Sequence, residues 1–275
     1  MKLFFREVGE PTAPPIVILH GIFGSSDNWL TVSKTIAAHG YRVFLLDQRN
    51  HGQSPRSNEF GYQSMAADLH EFLLDHNLTD VMLVGHSMGG KTVMQYAMTY
   101  GHGPEPARFS KLVVVDIAPK FYPIHHAEIL RGLNAIDLNA LTHRTEADKI
   151  LSQYEPIPAV RQFLLKNLYR AALGRAGLGT AASGRTDNET FAWRINIPVI
   201  ERELHGIGEE LADTHPVLTP TLFIRGSESP YILDEDLPNI RRLFPDMTLE
   251  TITGAGHWVQ AEKPAEFVSA LLGLP

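Results

Sequence analysis

Short apolar runs alternate with longer amphipathic stretches along most of this chain. Ile16–Leu19 follows Pro14 and Pro15, and Tyr41–Leu46 follows a helix-like stretch that closes at Gly40. Val81–Val84 and Leu112–Val115 hold no polar residue at all. A strand with one wet face alternates polar with apolar positions, so unbroken runs read as strands covered on both faces. Two later strands are predicted at Thr221–Ile224, after Pro220, and at Met247–Thr253, which alternates. Thr92–Tyr100 and Pro264–Leu272 have helical spacing. Strands separated by helices predict an α/β fold: a mostly parallel central sheet flanked by helices on both faces.

The rhythm changes between Lys120 and Pro216. Strand-like runs become scarce, and Ile150, Leu151, Tyr154 and then Phe163, Leu164, Leu168 fall at helical spacing. Residues 120–216 are therefore expected to form a helical cap or lid inserted into a core built from 1–119 and 217–275. An insertion there roofs the C-terminal ends of the strands, where open α/β sheets bind their ligands. Within it, Gly174–Ala182 contains the string G-x-G-x-x-A. A dinucleotide fingerprint needs a strand before it, and a helical pattern precedes this one, so the segment reads as a lid loop.

The chemistry concentrates where strands end. Gly85-His86-Ser87-Met88-Gly89-Gly90 lies between the run Val81–Val84 and the helix-like Thr92–Tyr100. G-x-S-x-G in a strand-to-helix turn is a nucleophile elbow, which makes Ser87 the candidate nucleophile. The turn is tight enough to exclude Cβ atoms on either side of the serine, and the helix that follows favours developing negative charge at its N-terminus. His20-Gly21-Ile22-Phe23-Gly24-Ser25 follows the strand Ile16–Leu19. In such a site one main-chain N–H comes from this loop and one from the residue after the nucleophile, so Ile22 and Met88 are the candidate oxyanion-hole donors. His20 reads as a loop brace, as does His51 at the end of another strand.

Thirteen histidines require a choice by position. Gly254-Ala255-Gly256-His257-Trp258 follows the last strand, and the general base of this arrangement comes last in the chain, so His257 is the candidate base. His125 and His126 open the insertion, but no third ligand in register supports a metal site. Phe23, Trp258 and Tyr122 are candidate substrate-binding walls by their nearness to these motifs.

With those residues in view, His20–Ser25, Asp47–Ser54, Gly85–Gly90 and Gly254–Trp258 resemble the α/β-hydrolase superfamily over nearly the whole chain apart from the insertion. Asn50-His51-Gly52, Gly89-Gly90-Lys91 and His257-Trp258 resemble more narrowly the small bacterial esterases of the YbfF type. The resemblance implies an esterase acting on short acyl esters. The triad acid departs from the wider pattern, which places Asp after the late strand. Here that stretch reads Gly226-Ser227-Glu228-Ser229, with Ser229 in the acid's place. Asp116 ends the buried run Val113–Val115, where a carboxylate is costly without a partner such as the Nδ1–H of His257. The narrower group is similar, with its acid on this earlier strand. Glu228, nearer the usual place, is the rival.

Composition narrows the field. The formal net charge of −7, from 31 acidic and 24 basic side chains, gives no basic stripe for nucleic acid. With no cysteine, thiolate catalysis and disulfides are excluded. No apolar stretch approaches a membrane span or the core of a signal peptide, and a cytoplasmic protein is expected. The expected function is acyl transfer to water by Ser87, His257 and Asp116, on a small-molecule ester and without a cofactor. Activity should fall as the base protonates, near pH 6.5 for an unperturbed histidine. Thioesterase, lactonase, carbon–carbon hydrolase and perhydrolase chemistries share such a site, and a small-molecule receptor with little turnover is the non-enzymatic alternative.

Overall fold

A computed structural model describes residues 1–102, 108–123, 126–172, 189–211 and 215–274. In chain order the elements are β1 (Phe5–Val8), β2 (Pro15–Leu19), α1 (Leu30–Ala38), β3 (Arg42–Leu46), α2 (Tyr62–Asp75), β4 (Val81–His86), α3 (Met88–Tyr100) and β5 (Phe109–Val115). Then come α4 (Ala127–Asn134), α5 (Arg144–Leu151), α6 (Pro158–Leu165), β6 (Leu168–Ala172), β7 (Glu189–Trp193) and α7 (Ile197–Gly208). The chain closes with β8 (Thr221–Gly226), α8 (Leu237–Leu243), β9 (Met247–Ile252), α9 (Val259–Glu262) and α10 (Pro264–Leu272).

Seven strands form one sheet in the order β1-β3-β2-β4-β5-β8-β9. Every pairing is parallel except that of the edge strand β1, which runs antiparallel to β3. The unbroken apolar runs are explained by burial on both faces. Val17 and Leu19 of β2, and Leu112 and Val114 of β5, join the cluster that holds α2 and α3. Their neighbours Ile16, Ile18, Val113 and Val115 join the cluster on the other face, with Trp29, Ile36 of α1 and Phe267 of α10. Successive side chains point to opposite faces, so a strand covered on both sides has no position for a polar residue.

The chain between β5 and β8 holds α4, α5, α6 and α7, and also an antiparallel pair, β6 with β7, that the helical reading of this segment omitted. Leu168 pairs with Trp193 as a strand residue and does not extend the helical spacing of Phe163 and Leu164. The string Gly174–Ala182 lies outside the described residues. Leu130, Leu133, Leu164 and Ile200 of this segment share one apolar cluster with α2 and α3. Its packing is thus continuous with that of the core.

Candidate active site

Four adjacent strands, β3, β2, β4 and β5, lead into loops where a residue other than glycine takes a positive φ. These are Asn50 (66°), Phe23 (60°), Ser87 (53°) and Asp116 (52°). Such backbone costs about 1–3 kcal/mol per residue and concentrates at functional sites.

Ser87 sits between β4 and α3 with φ 53° and ψ −118°. Its N–H donates to the Val115 carbonyl at 3.0 Å, and its carbonyl accepts the N–H of Lys91 at 3.1 Å, the first helical bond of α3. The flanking glycines are required sterically. A Cβ on Gly85 would lie 2.1 Å from the Gly89 carbonyl oxygen, and one on Gly89 would lie 2.4 Å from that of Leu19. The serine is therefore held at the top of the sheet, where it lines an open cleft.

Asp116 follows β5 and is fully buried. Its Oδ2 lies 2.7 Å from Nδ1 of His257 and also accepts the Ser229 hydroxyl, while Oδ1 accepts the Gly226 N–H at 3.1 Å. Burial pushes its carboxyl up to about 6, against the downward pull of the Ser229 and Gly226 donors, so at neutral pH it is a carboxylate. With Nδ1–H donated to Asp116, the neutral ring of His257 carries no proton on Nε2. The Tyr231 ring stacks on the imidazole with centroids 3.8 Å apart and planes 17° apart. The His257 carbonyl accepts Nε2–H of His86, the residue before Ser87, at 2.8 Å. Glu228, by contrast, has an exposed side chain, and its N–H donates to the Ala255 carbonyl at 2.9 Å.

Ile22 and Met88 line the cleft beside Ser87. Met88 opens α3, so its N–H is one of those a helix leaves unpaired. The loop carrying Ile22 is fixed through the next residue. The Phe23 N–H donates to Nε2 of His51 at 3.3 Å, and its carbonyl accepts Nδ2–H of Asn167 at 2.7 Å. His51 is buried, donates Nδ1–H to the Arg49 carbonyl at 2.9 Å, and is lowered to about 3 by that burial. His20 donates to the Gly21 carbonyl at 2.8 Å, accepts the Gln48 N–H at 3.0 Å, and is lowered to about 4 for the same reason. Both rings are neutral braces.

Of the aromatic candidates, Tyr122 lines the cleft, joined by Tyr62 and Tyr231. Phe23 and Trp258 are not part of its lining. Phe23 is buried with its ring 5.6 Å from that of His126, and Trp258 is half-buried against Phe163 at the same centroid distance. Sequence reasoning passed over Asn167 and Tyr231, and gave no role to the Ser229 hydroxyl or to Lys91, which it named only as part of Gly89-Gly90-Lys91. Only Lys91 carried a usable signal, standing directly after the paired glycines of the elbow. Among the described residues no group of three metal-ligating side chains converges.

Residues 14–264 match the family described as alpha/beta hydrolase fold, and the chain belongs to it. It is 37% identical over 270 residues to the sn-1-specific diacylglycerol lipase ABHD11 of Xenopus laevis, covering 96% of this chain and 80% of that protein. It is 34% identical over 259 residues to esterase YbfF of Escherichia coli (strain K12), covering 94% and 91%. A marine microorganism esterase superposes with a TM-score of 0.88 at 38% identity, covering 100% of this chain and 99% of the other. With this fold and these relatives, the protein is an ester-bond hydrolase of the esterase and lipase type. Among the described residues no helix is long and apolar enough to cross a membrane.

Proposed function

We propose that the protein is a serine carboxylesterase that cleaves short acyl esters through an acyl-enzyme on Ser87, with His257 as general base and Asp116 as the triad acid. The observation that carries this reading is the contact of Asp116 Oδ2 with His257 Nδ1 at 2.7 Å, beside a serine in a strained elbow facing a cleft. His257 takes the proton of Ser87 as the oxygen attacks the ester carbonyl. Asp116 keeps the ring in the tautomer whose proton sits on Nδ1 and stabilises the imidazolium. The N–H groups of Ile22 and Met88 receive the oxyanion, a contribution of about 10²–10³ in rate for each donor. His257 then returns the proton to the departing alkoxide, and water, activated by the same ring, releases the acid.

Residues 120–216 act in this reading as the lid over the strand ends. Their contribution to the cleft includes Tyr122, Leu204 and Ile207, and the apolar character of that wall suits an uncharged acyl chain. A lipase acting on larger glycerides is the second reading, favoured by the identity to the diacylglycerol lipase.

The test is hydrolysis of p-nitrophenyl esters from acetate to decanoate, and of a diacylglycerol, by wild type, Ser87→Ala, Asp116→Asn and Glu228→Gln. The proposal expects short esters to be preferred, Ser87→Ala to be inert, and only Asp116→Asn of the two acid variants to lose several orders of magnitude. A folded wild type that cleaves none of these esters overturns it.

A further inference from the structure

The cleft that holds Ser87 is also lined by Lys91, a side chain only 1% exposed, and by Tyr62 and Tyr122, the two rings that flank its ammonium group. Lys91 lies in the first turn of α3, directly after the elbow that carries Ser87, and both residues line the cleft. The space beyond the nucleophile is largely apolar, walled by Met88, Ile117, Leu204 and Ile207. Lys91 interrupts it with a charge.

That charge is fixed by the end of α7. Nζ donates to the carbonyls of Gly208 at 3.3 Å and Glu209 at 2.5 Å. The carbonyl before them, on Ile207, accepts the Tyr62 hydroxyl at 2.7 Å, and the Gly208 carbonyl also accepts the Tyr122 N–H at 2.8 Å. The ammonium lies 5.6 Å from the Tyr62 ring centroid and 5.0 Å from that of Tyr122. A helix C-terminus and two aromatic faces are all favourable neighbours for a cation. Burial lowers Lys91 to about 8, which leaves it protonated at neutral pH. Among the described residues two of its three N–H groups find acceptors in these carbonyls, and Gly208, one of the two acceptors, lines the cleft with Lys91.

We propose that Lys91 is the specificity-determining end of the chain pocket: it stops an alkyl chain running from the ester carbonyl along α3, and it selects chains that carry an oxygen acceptor at its depth. Pressing methylenes against a desolvated ammonium strips the remaining hydration without a hydrogen bond in return. An ether or hydroxyl oxygen at the same depth accepts the outstanding N–H. The inference rests on the esterase reading and deepens it, naming short or oxygen-bearing acyl chains as the substrate class.

The experiment is a scan of p-nitrophenyl esters in which an ether oxygen replaces one methylene at successive positions, each compared with its alkyl counterpart. Wild type should prefer the ether at one position by at least tenfold in kcat/KM. Lys91→Met, which conserves volume, should abolish that preference and raise the octanoate-to-acetate ratio of kcat/KM at least tenfold. A structural role alone would lower all esters together and leave both ratios in place. If Lys91→Met does not fold, the wild-type scan decides by itself. An ether-to-alkyl ratio near one at every position, in a wild type that is active, overturns the role of Lys91. A wild type inert to the whole series overturns the esterase reading, and this inference with it.

Discussion

The hydroxyl of Ser229 donates to the carboxylate of Asp116, on the same oxygen that faces His257. Ser229 follows β8, where the wider family pattern places the acid, and Asp116 follows the adjacent strand β5. The two positions thus meet at one carboxylate oxygen, the one that faces the His257 ring. With Asp116 as the proposed acid, that role has moved by one strand, and the serine at the vacated place supports it.

That neighbourhood predicts a rescue. Asp116→Asn should lose about 10⁴ in kcat, the loss that follows when a base histidine is left in the wrong tautomer. Adding Ser229→Asp sets a carboxylate beside the same Nδ1 and should recover at least tenfold of it in p-nitrophenyl acetate hydrolysis. A double variant no better than Asp116→Asn contradicts the shared position.

Asp116 should matter to stability in the opposite sense. Its carboxyl is raised from an ordinary 3.8 to about 6 in the fold. A raised carboxyl binds its proton better when folded, so ionisation costs the folded state above pH 6, on the order of 3 kcal/mol. Relief comes as pH falls through 6. Asp116→Asn should therefore melt no lower than wild type at pH 8, with the difference shrinking at pH 5. A thermal scan showing a large drop at pH 8 contradicts this assignment.

Much of this was legible in the sequence because its cause is local. Burial on both faces writes itself as unbroken apolar runs, and α10 spans Pro264–Leu272 as its helical spacing indicates. The elbow was legible because glycines at 85 and 89, set between a strand-like run and a helix-like one, mark a tight strand-to-helix turn. What escaped depends on distant partners. Phe5-Arg6-Glu7-Val8 carries two charges and becomes β1 only by pairing with β3. β6 and β7 are separated by sixteen residues, so no short turn announces the pair. Asn167 meets Phe23 across 144 positions, which no spacing rule relates.

The Phe23 peptide supplies a kinetic prediction. Held by His51 on one side and Asn167 on the other, it fixes the loop whose Ile22 N–H is assigned to the oxyanion. Asn167→Ala should lower kcat by about 10–100-fold, part of the full effect of one lost donor, with KM nearly unchanged. Asn167→Asp, lacking the donor at nearly equal size, should behave like alanine, whereas Asn167→Gln should recover part of the rate. A change confined to KM would assign Asn167 to substrate binding instead.

The acid side of the pH profile should report the Asp116–His257 pair. As pH falls through about 6, Asp116 is neutralised and no longer stabilises an imidazolium. Ester hydrolysis should decline there. Ser229→Ala removes a donor to the ionised carboxylate, so the decline should begin at higher pH. A rate that is flat to pH 4, or a limb that moves to lower pH, contradicts the pairing.

The central claim is that Ser87 is the attacking atom, activated by His257. Its most direct test is labelling with a p-nitrophenyl alkylphosphonate, followed by peptide mass spectrometry of the intact chain's digest. One phosphonyl group on Ser87, with labelling slowed at least a thousandfold in His257→Ala, is the predicted result. An active, unlabelled Ser87, or an adduct at another residue that abolishes activity, would contradict it.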